Sequence, residues 1–273
     1  MTLATDVRAA YDAAGDAWAE GPTRLYQELA RPLLERAGDV AGRLVLDVGT
    51  GSGAVAEVFR AAGARVLAAD GSLGMLRPRR LHRPPALVAD VQTLPVRGAS
   101  FDLVTAGFVL NHLADPLPAL REGVRALRPG GRLLATTFAD EAAVEVKRAL
   151  QEVAGRHGFV PPRWYAELRH GPLYHPVPAR AEALLRQGGL VDVHVIPCEV
   201  RVALSTEQLL AWRWGMAQLA PFVARLGPER RTALDADAAR AVAGVGELEF
   251  RVLVMAGRRP VSEREVGQHL PTG

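Results

Sequence analysis

The chain of 273 residues has a single cysteine, Cys198. An intrachain disulfide is therefore excluded, and so is a metal cage built on thiolates, so no metal is expected. The surrounding Val195-Ile196-Pro197-Cys198-Glu199-Val200 reads as a strand, which makes the thiol a packing group rather than a nucleophile. Lysine is equally scarce, because Lys147 is the only one and the other basic residues are arginine. With abundant alanine and proline, this composition fits a GC-rich coding bias, not selection for a polyanion. The formal charge is only +3. The densest basic cluster, Arg77, Arg79, Arg80 and Arg83, is broken by Pro78 and Pro84 and has no interleaved aromatics. It reads more readily as a solvated loop than as a nucleic-acid patch. No apolar run reaches the roughly 18 residues of a membrane span. The opening Met1-Thr2-Leu3-Ala4-Thr5-Asp6 lacks the charged and apolar regions of a secretory signal. The expectation is a cytoplasmic protein with a small-molecule partner and no membrane or nucleic-acid partner. Composition leaves the oligomeric state open.

What the chain does have is a glycine-rich loop behind an apolar run. Leu44-Val45-Leu46-Asp47-Val48 suits a buried strand, and Gly49, Gly51 and Gly53 follow at alternate positions. Such glycines allow a sharp turn and close ligand approach. Asp47 can accept a hydrogen bond or pair with a cation, which a phosphate is not. The loop suits a nucleoside with a positively charged amino-acid tail. The same letters satisfy a relaxed dinucleotide fingerprint, with Asp70 about 20 residues on. The loop alone thus admits either a nicotinamide or an S-adenosylmethionine (SAM) cofactor.

The rest of the chain supplies a frame for that loop. Residues 3–20 and 23–38 read as two helices divided by Gly21-Pro22. Strands over 43–48, 65–69, 86–89, 101–106 and 132–138 then alternate with helices over 54–62, 72–80 and 116–127, Ser72 being a plausible N-cap. Alternation of this kind implies a parallel sheet with right-handed crossovers. Ligands bind beyond the carboxyl ends of such strands, where Asp47, Asp70 and Asp90 all fall. A helix over 141–156 precedes a loop-rich segment, 157–178. A helix over 179–187, a strand over 190–202, a helical segment 205–244 and a strand over 247–257 complete the pattern. The organisation expected is an N-terminal helical lid (1–40), a cofactor domain (41–260) with acceptor-pocket insertions at 157–178 and 205–244, and a frayed tail (261–273).

Six motifs in order resemble the class I SAM-dependent methyltransferases, in particular the small-molecule branch of quinone-biosynthesis and antibiotic-tailoring enzymes. They are Leu46-Asp47-Val48-Gly49-Thr50-Gly51-Ser52-Gly53, Asp70-Gly71-Ser72-Leu73-Gly74-Met75-Leu76, Ala89-Asp90-Val91-Gln92-Thr93-Leu94-Pro95, Ser100-Phe101-Asp102-Leu103-Val104, Asn111-His112-Leu113-Ala114-Asp115-Pro116 and Leu127-Arg128-Pro129-Gly130-Gly131. The resemblance covers residues 11–138 motif by motif and the remainder only by layout. It implies an α/β, Rossmann-like fold. The sheet would be seven-stranded and mostly parallel, with helices on both faces, an N-terminal helical lid and an insertion before the last two strands. It implies SAM as cofactor, with Asp70 accepting from the ribose hydroxyls. Asp90 would take the adenine amino group, Val91 would offer its backbone N–H, and Met75 would pack on the adenine face. Gly49, Gly51 and Gly71 would allow close approach, Asp47 would orient the methionine tail, and Gly107 would offer its carbonyl. Tyr11-Asp12-Ala13-Ala14-Gly15-Asp16-Ala17-Trp18 is similar to the family's lid element. Tyr11 would close over the sulfonium, with Trp18 in place of a second tyrosine. Both aromatics also read as helix-face packing groups.

The acceptor is less legible. Methyl transfer is an in-line displacement that alignment can accelerate, and a base is needed only if the acceptor loses a proton. His112 is the candidate base, since an unperturbed imidazole titrates near neutrality; it reads equally as a loop brace. His170, Tyr174 and His175 are candidate pocket-wall groups, and Trp164, Trp212, Trp214 and Phe222 are candidate pocket aromatics that would serve equally well in a core. No Asn-Pro-Pro-Tyr motif follows the fourth strand. The lone cysteine sits late in the chain, and one lysine cannot build the tetrad of ribose methyltransferases. A small organic acceptor in secondary metabolism remains the expected substrate. The alternative is a SAM-binding relative that catalyses another reaction, such as cyclisation.

Overall fold

The computed structural model describes residues 3–81, 83–140 and 143–261; the expected tail, 261–273, lies outside these apart from Val261. Three helices open the chain: α1 (Leu3–Glu20), α2 (Pro22–Leu29) and α3 (Arg31–Ala37). The single helix expected over 23–38 is broken at Ala30, because Pro32 enters the first turn of α3 and has no N–H to continue α2. There follow β1 (Leu44–Val48), α4 (Ala54–Ala61), β2 (Arg65–Asp70), α5 (Leu73–Leu76), β3 (Ala86–Val88) and β4 (Phe101–Gly107). A single 3-10 turn (Leu110–His112) leads to α6 (Leu117–Ala126), β5 (Leu127–Phe138), α7 (Val144–Arg156), α8 (Arg163–Leu168) and α9 (Pro178–Gln187). The chain continues through β6 (Val191–Ala203), α10 (Thr206–Gly215), α11 (Ala220–Val223), α12 (Pro228–Ala241) and β7 (Glu247–Arg258).

Two further expectations need correction. The helix expected over 72–80 is a single turn ending before Pro78, although Ser72 caps it as expected by accepting from Met75 N–H at 3.1 Å. The turn expected at Pro129-Gly130-Gly131 is absorbed as an irregularity within β5, whose pairing with β4 shifts register between Phe101 and Leu103. Gly130 supplies the positive φ there, 73°.

The seven strands lie in the order β3-β2-β1-β4-β5-β7-β6. All neighbours pair in parallel except β7, which runs antiparallel to both β5 and β6. Strand order reverses between β1 and β4, and that crevice is where an open α/β sheet binds ligands. Alternating side chains fill both faces. Val45 and Leu134 face one core with Leu29, Leu33 and Phe59. Leu46, Val48 and Leu133 face the other with Leu120 and Leu185. Each fully buried leucine contributes about 1.5–3 kcal/mol.

The helix α1 belongs to neither face. It lies against α5, over the carboxyl ends of the strands. A Cβ on Gly15 would sit 2.1 Å from the Gly74 carbonyl oxygen, and one on Gly74 would sit 2.1 Å from that of Asp12. The Asp12 carboxylate accepts from Ser72 Oγ at 2.7 Å and from Gly74 N–H at 2.8 Å. Backbone-to-backbone packing this close admits no side chain. We expect Gly15→Ala to destabilise the protein by about 1–3 kcal/mol, the usual cost of overpacking. Gly155→Ala, whose Cβ meets nothing within 4 Å on α7, should instead be neutral or stabilise by up to about 1 kcal/mol. Urea denaturation of both variants checks the pair.

Candidate active site

The first strand ends in the glycine loop, and its geometry is set by neighbours as much as by any ligand. Gly49 has φ of 64°, and a Cβ there would meet Val109 Cγ2 at 2.2 Å. Glycine is therefore required by Val109 packing as well as by the turn. The loop is pinned by Asp70 at the end of β2. One of its carboxylate oxygens accepts from Gly51 N–H at 2.7 Å, and the other accepts from Ser72 N–H at 2.8 Å. Burial raises the Asp70 carboxyl above its ordinary value, while the two N–H donors oppose that rise. Each oxygen keeps a second lone pair for a ligand hydroxyl.

A cavity of about 190 Å³ opens above this loop. Of the expected cofactor residues, Tyr11, Gly49, Gly51, Asp70, Gly71, Met75, Asp90, Val91 and Gly107 all line it, and so do Trp18 and His112. Asp47 does not. It is 1% exposed within β1, facing its register partner Thr105 on β4, whose hydroxyl donates to Oδ1 at 2.7 Å. Its Oδ2 has no hydrogen-bond partner among the described residues. Burial pushes its carboxyl up to about 6. Asp90 is exposed; its Oδ1 accepts from Gln92 N–H at 2.9 Å, and its Oδ2 lies 3.9 Å from Arg8 of α1.

A second, smaller cavity of about 70 Å³ adjoins the first. Tyr11, Tyr26, Phe108 and His112 line both. Phe108 is held at φ of 56°, a left-handed conformation that costs a phenylalanine of order 1–3 kcal/mol. Its ring meets Tyr26 edge-on at 5.1 Å and lies 4.8 Å from Phe138. Tyr11 Oη and His112 Nε2 are 3.3 Å apart, and His112 Nδ1 has no partner among the described residues. Burial lowers the His112 imidazole to about 4 and raises the Tyr11 phenol well above its ordinary value. The near-neutral titration expected of His112 is therefore corrected: the ring is neutral at pH 7 because the protein excludes the water that would solvate its charge.

The second cavity takes Trp164, Tyr174, His175 and Trp212 from the expected acceptor residues. His170 is exposed and lines neither cavity. Trp214 is core, its Nε1–H donating to Asp235 at 2.9 Å, and Phe222 packs on Phe159 at 5.4 Å. Sequence reasoning missed Tyr26, Phe108, Arg213 and Gln218. Tyr26 had a signal, since it lies on the α2 face with Leu25 and Leu29. Phe108 had none, because its position depends on a positive φ that sequence does not announce.

Residues 46–135 match a family described as a methyltransferase domain. That match marks residues 46–135 as a methyltransferase domain. The chain is 38% identical over 135 residues to a demethylmenaquinone methyltransferase of Renibacterium salmoninarum, covering 49% of this chain and 56% of that one. It is 34% identical over 152 residues to a malonyl-(acyl-carrier protein) O-methyltransferase of Pseudescherichia vulneris, covering 55% and 60%. The chain thus spans little more than half the length of these curated relatives. Among solved structures, a phosphoethanolamine N-methyltransferase 2 of Haemonchus contortus in complex with S-adenosyl-L-methionine shares the fold. Its TM-score is 0.53 at 21% identity, over 85% of this chain and 52% of that one. Among the described residues no helix is long and apolar enough to cross a membrane.

The His112 environment yields a direct test. In solution NMR, the imidazole of His112 should stay neutral from pH 8 to pH 5 and protonate only as pH approaches about 4. A midpoint near the ordinary 6.5 would show that the ring is solvated.

Proposed function

We propose that this chain binds SAM in the first cavity and transfers its methyl group to a small organic acceptor in the second. The observation that carries the reading is the wall of Tyr11, Tyr26, Phe108 and His112 common to both cavities. Two ligands meeting at that wall react as neighbours, and alignment supplies much of the acceleration. SAM supplies a methyl group on a sulfonium, an electrophile that needs no further activation.

The residues of the first cavity suit that cofactor. Asp70 offers its remaining lone pairs to the ribose hydroxyls, and its grip on Gly51 N–H holds the loop for the amino-acid tail. Asp90 takes the adenine amino group, with the Val91 N–H and Met75 completing that subsite. Gly71 gives the ribose room, and Gly107 ends β4 beside the tail. Asp47 acts from beneath the loop through its carboxyl, out of contact with the cavity. The lid is α1, which brings Tyr11 over the reacting centre, and residues from 157–178 and 205–244 close the acceptor side.

His112 has two separable roles. In the tautomer protonated at Nε2, the ring donates to Tyr11 Oη and leaves the Nδ1 lone pair free to take an acceptor proton. An imidazole held near 4 is a weak base, effective toward acidic acceptors. We place the setting in natural-product tailoring. A reaction that consumes SAM draws on a cytoplasmic supply, which supports a cytoplasmic location.

Calorimetry should find SAM and S-adenosylhomocysteine binding, with NAD inert. Asp70→Ala should weaken SAM by about 1.5–3 kcal/mol, the range for a hydrogen bond to a charged group. Tight NAD binding without SAM binding would refute the reading. His112→Ala should lower kcat by roughly 10²-fold, the lower end of acid–base catalysis, with SAM affinity retained. The parent rate should fall only as pH drops toward 4, where the base becomes protonated. Near-normal turnover would leave His112 as a wall. Candidate acceptors that release no S-adenosylhomocysteine but are converted to other products would favour a cyclase-like reaction.

A further inference from the structure

The second cavity differs from the first in the charges it presents. The described residues lining the first include Asp70, Asp90 and Arg8, whereas none of those lining the second is acidic. Its lining instead brings together the chain's one lysine, Lys147 on α7, and Arg213 on α10. Neither touches the first cavity. Arg213 is 2% exposed and donates from Nη2 to Gln151 Oε1 at 3.5 Å. Lys147 Nζ lies 5.3 Å from the centre of the Phe138 ring.

Two neutral donors join them. Trp212 is 3% exposed and Gln218 is 7% exposed, and both line this cavity. Trp212 Nε1 and Gln218 Nε2 have no hydrogen-bond partner among the described residues. A buried donor without an acceptor is costly, and a ligand oxygen would relieve it. Among the described residues, the buried side-chain acceptors without a partner on this lining are Asn111 Oδ1 and His112 Nδ1. Between these polar groups the walls are aromatic: Tyr26, Phe138, Trp164 and Tyr174. Flat apolar walls select a planar molecule, and clustered N–H donors with two cations select an oxyanion on it.

We propose that the acceptor is a planar, apolar molecule carrying a carboxylate. Lys147, Arg213, Trp212 and Gln218 hold that carboxylate in the part of the second cavity that does not border the first. The carboxylate is then an anchor, and the atom to be methylated lies at the shared wall beside His112. Asn111 Oδ1 receives a hydroxyl hydrogen of the same ligand. The inference rests on the reading of the second cavity as the acceptor site and extends it to a substrate class.

The test uses 4-hydroxybenzoate and its neutral isostere 4-hydroxybenzamide as probes, titrated by calorimetry into the full chain with and without S-adenosylhomocysteine. The benzoate should bind at least tenfold more tightly than the benzamide. Lys147→Met and Arg213→Gln should each reduce that preference to threefold or less, with S-adenosylhomocysteine affinity unchanged. Should Arg213→Gln not fold, Lys147→Met alone decides. Equal affinity for the two probes, binding of neither, or a preference that survives both variants would overturn the proposal. Failure of S-adenosylhomocysteine to bind is a separate result. It would remove the cofactor reading, while the probe preference in the nucleoside-free protein still judges the carboxylate site.

Discussion

The docking of α1 on the strand ends is the contact on which the site depends. It is made by one carboxylate and two glycines. Asp12 reaches from α1 to the hydroxyl of Ser72 and the N–H of Gly74, while Gly15 and Gly74 let the two backbones meet. Everything that α1 contributes follows from that register. One turn before Asp12, Arg8 faces Asp90. Beside Asp12, Tyr11 reaches His112. Two turns on, the Trp18 ring packs, tilted, at 5.3 Å from both Tyr11 and Tyr26. The turn of α5 is itself fixed by Asp70, which accepts from Ser72 N–H and from Gly51 N–H. A chain of carboxylate hydrogen bonds thus connects α1, the second strand and the glycine loop. Displacing α1 would open both cavities at once.

The second feature of the site is its dryness. Burial shifts Asp47, Asp70, His112 and Tyr11 toward their neutral forms. These shifts act on stability in opposite senses. Asp47, at about 6 in the folded state against an ordinary 3.8, favours folding as pH falls through that window. His112, at about 4 against an ordinary 6.5, is protonated first in the unfolded chain, so its contribution is lost over nearly the same window. The two largely offset each other between pH 4 and 6. The site therefore acquires weakly solvated groups without making the fold strongly dependent on acidity. Excluding water also strengthens each remaining electrostatic contact.

How far the sequence announced this arrangement follows from where each part is encoded. Asp70, Asp90, Gly49 and Gly51 sit at the ends of strands, and strand ends are fixed by hydrophobic runs that can be read directly. All four line the first cavity. Asp47 shows the limit of that logic, since strand alternation turned its carboxylate toward Thr105 and away from the cavity. The second cavity was far less legible. Lys147 and Arg213 come from α7 and α10, 66 positions apart in numbering, and no local pattern links them. Trp164 and Trp212 were recognisable as aromatic candidates, but their spacing fits a helix face packed in a core just as well. Trp214 is such a core residue, two positions from Trp212, and only the three-dimensional path of α10 separates their roles. Local breaks behaved similarly. Pro78 ended α5 early as its chemistry requires, whereas the bulge that carries Pro129 and Gly130 inside β5 depends on pairing with β4.

The two cavities together make an electrostatic argument about selection. A cationic cofactor is favoured where Asp70 and Asp90 lie, and an anionic acceptor where Lys147 and Arg213 lie. Exchanging the two ligands would set a cationic sulfonium beside Lys147 and Arg213, and like charges at short range inside a weakly solvated site repel strongly. The common wall of Tyr11, Tyr26, Phe108 and His112 carries no charge at neutral pH, because burial keeps the phenols and the imidazole neutral. A reacting centre placed there would lie between Asp70 and Asp90 on one side and Lys147 and Arg213 on the other. The charges orient the ligands from a distance, and the neutral wall leaves the methyl group and its nucleophile free of competing ion pairs.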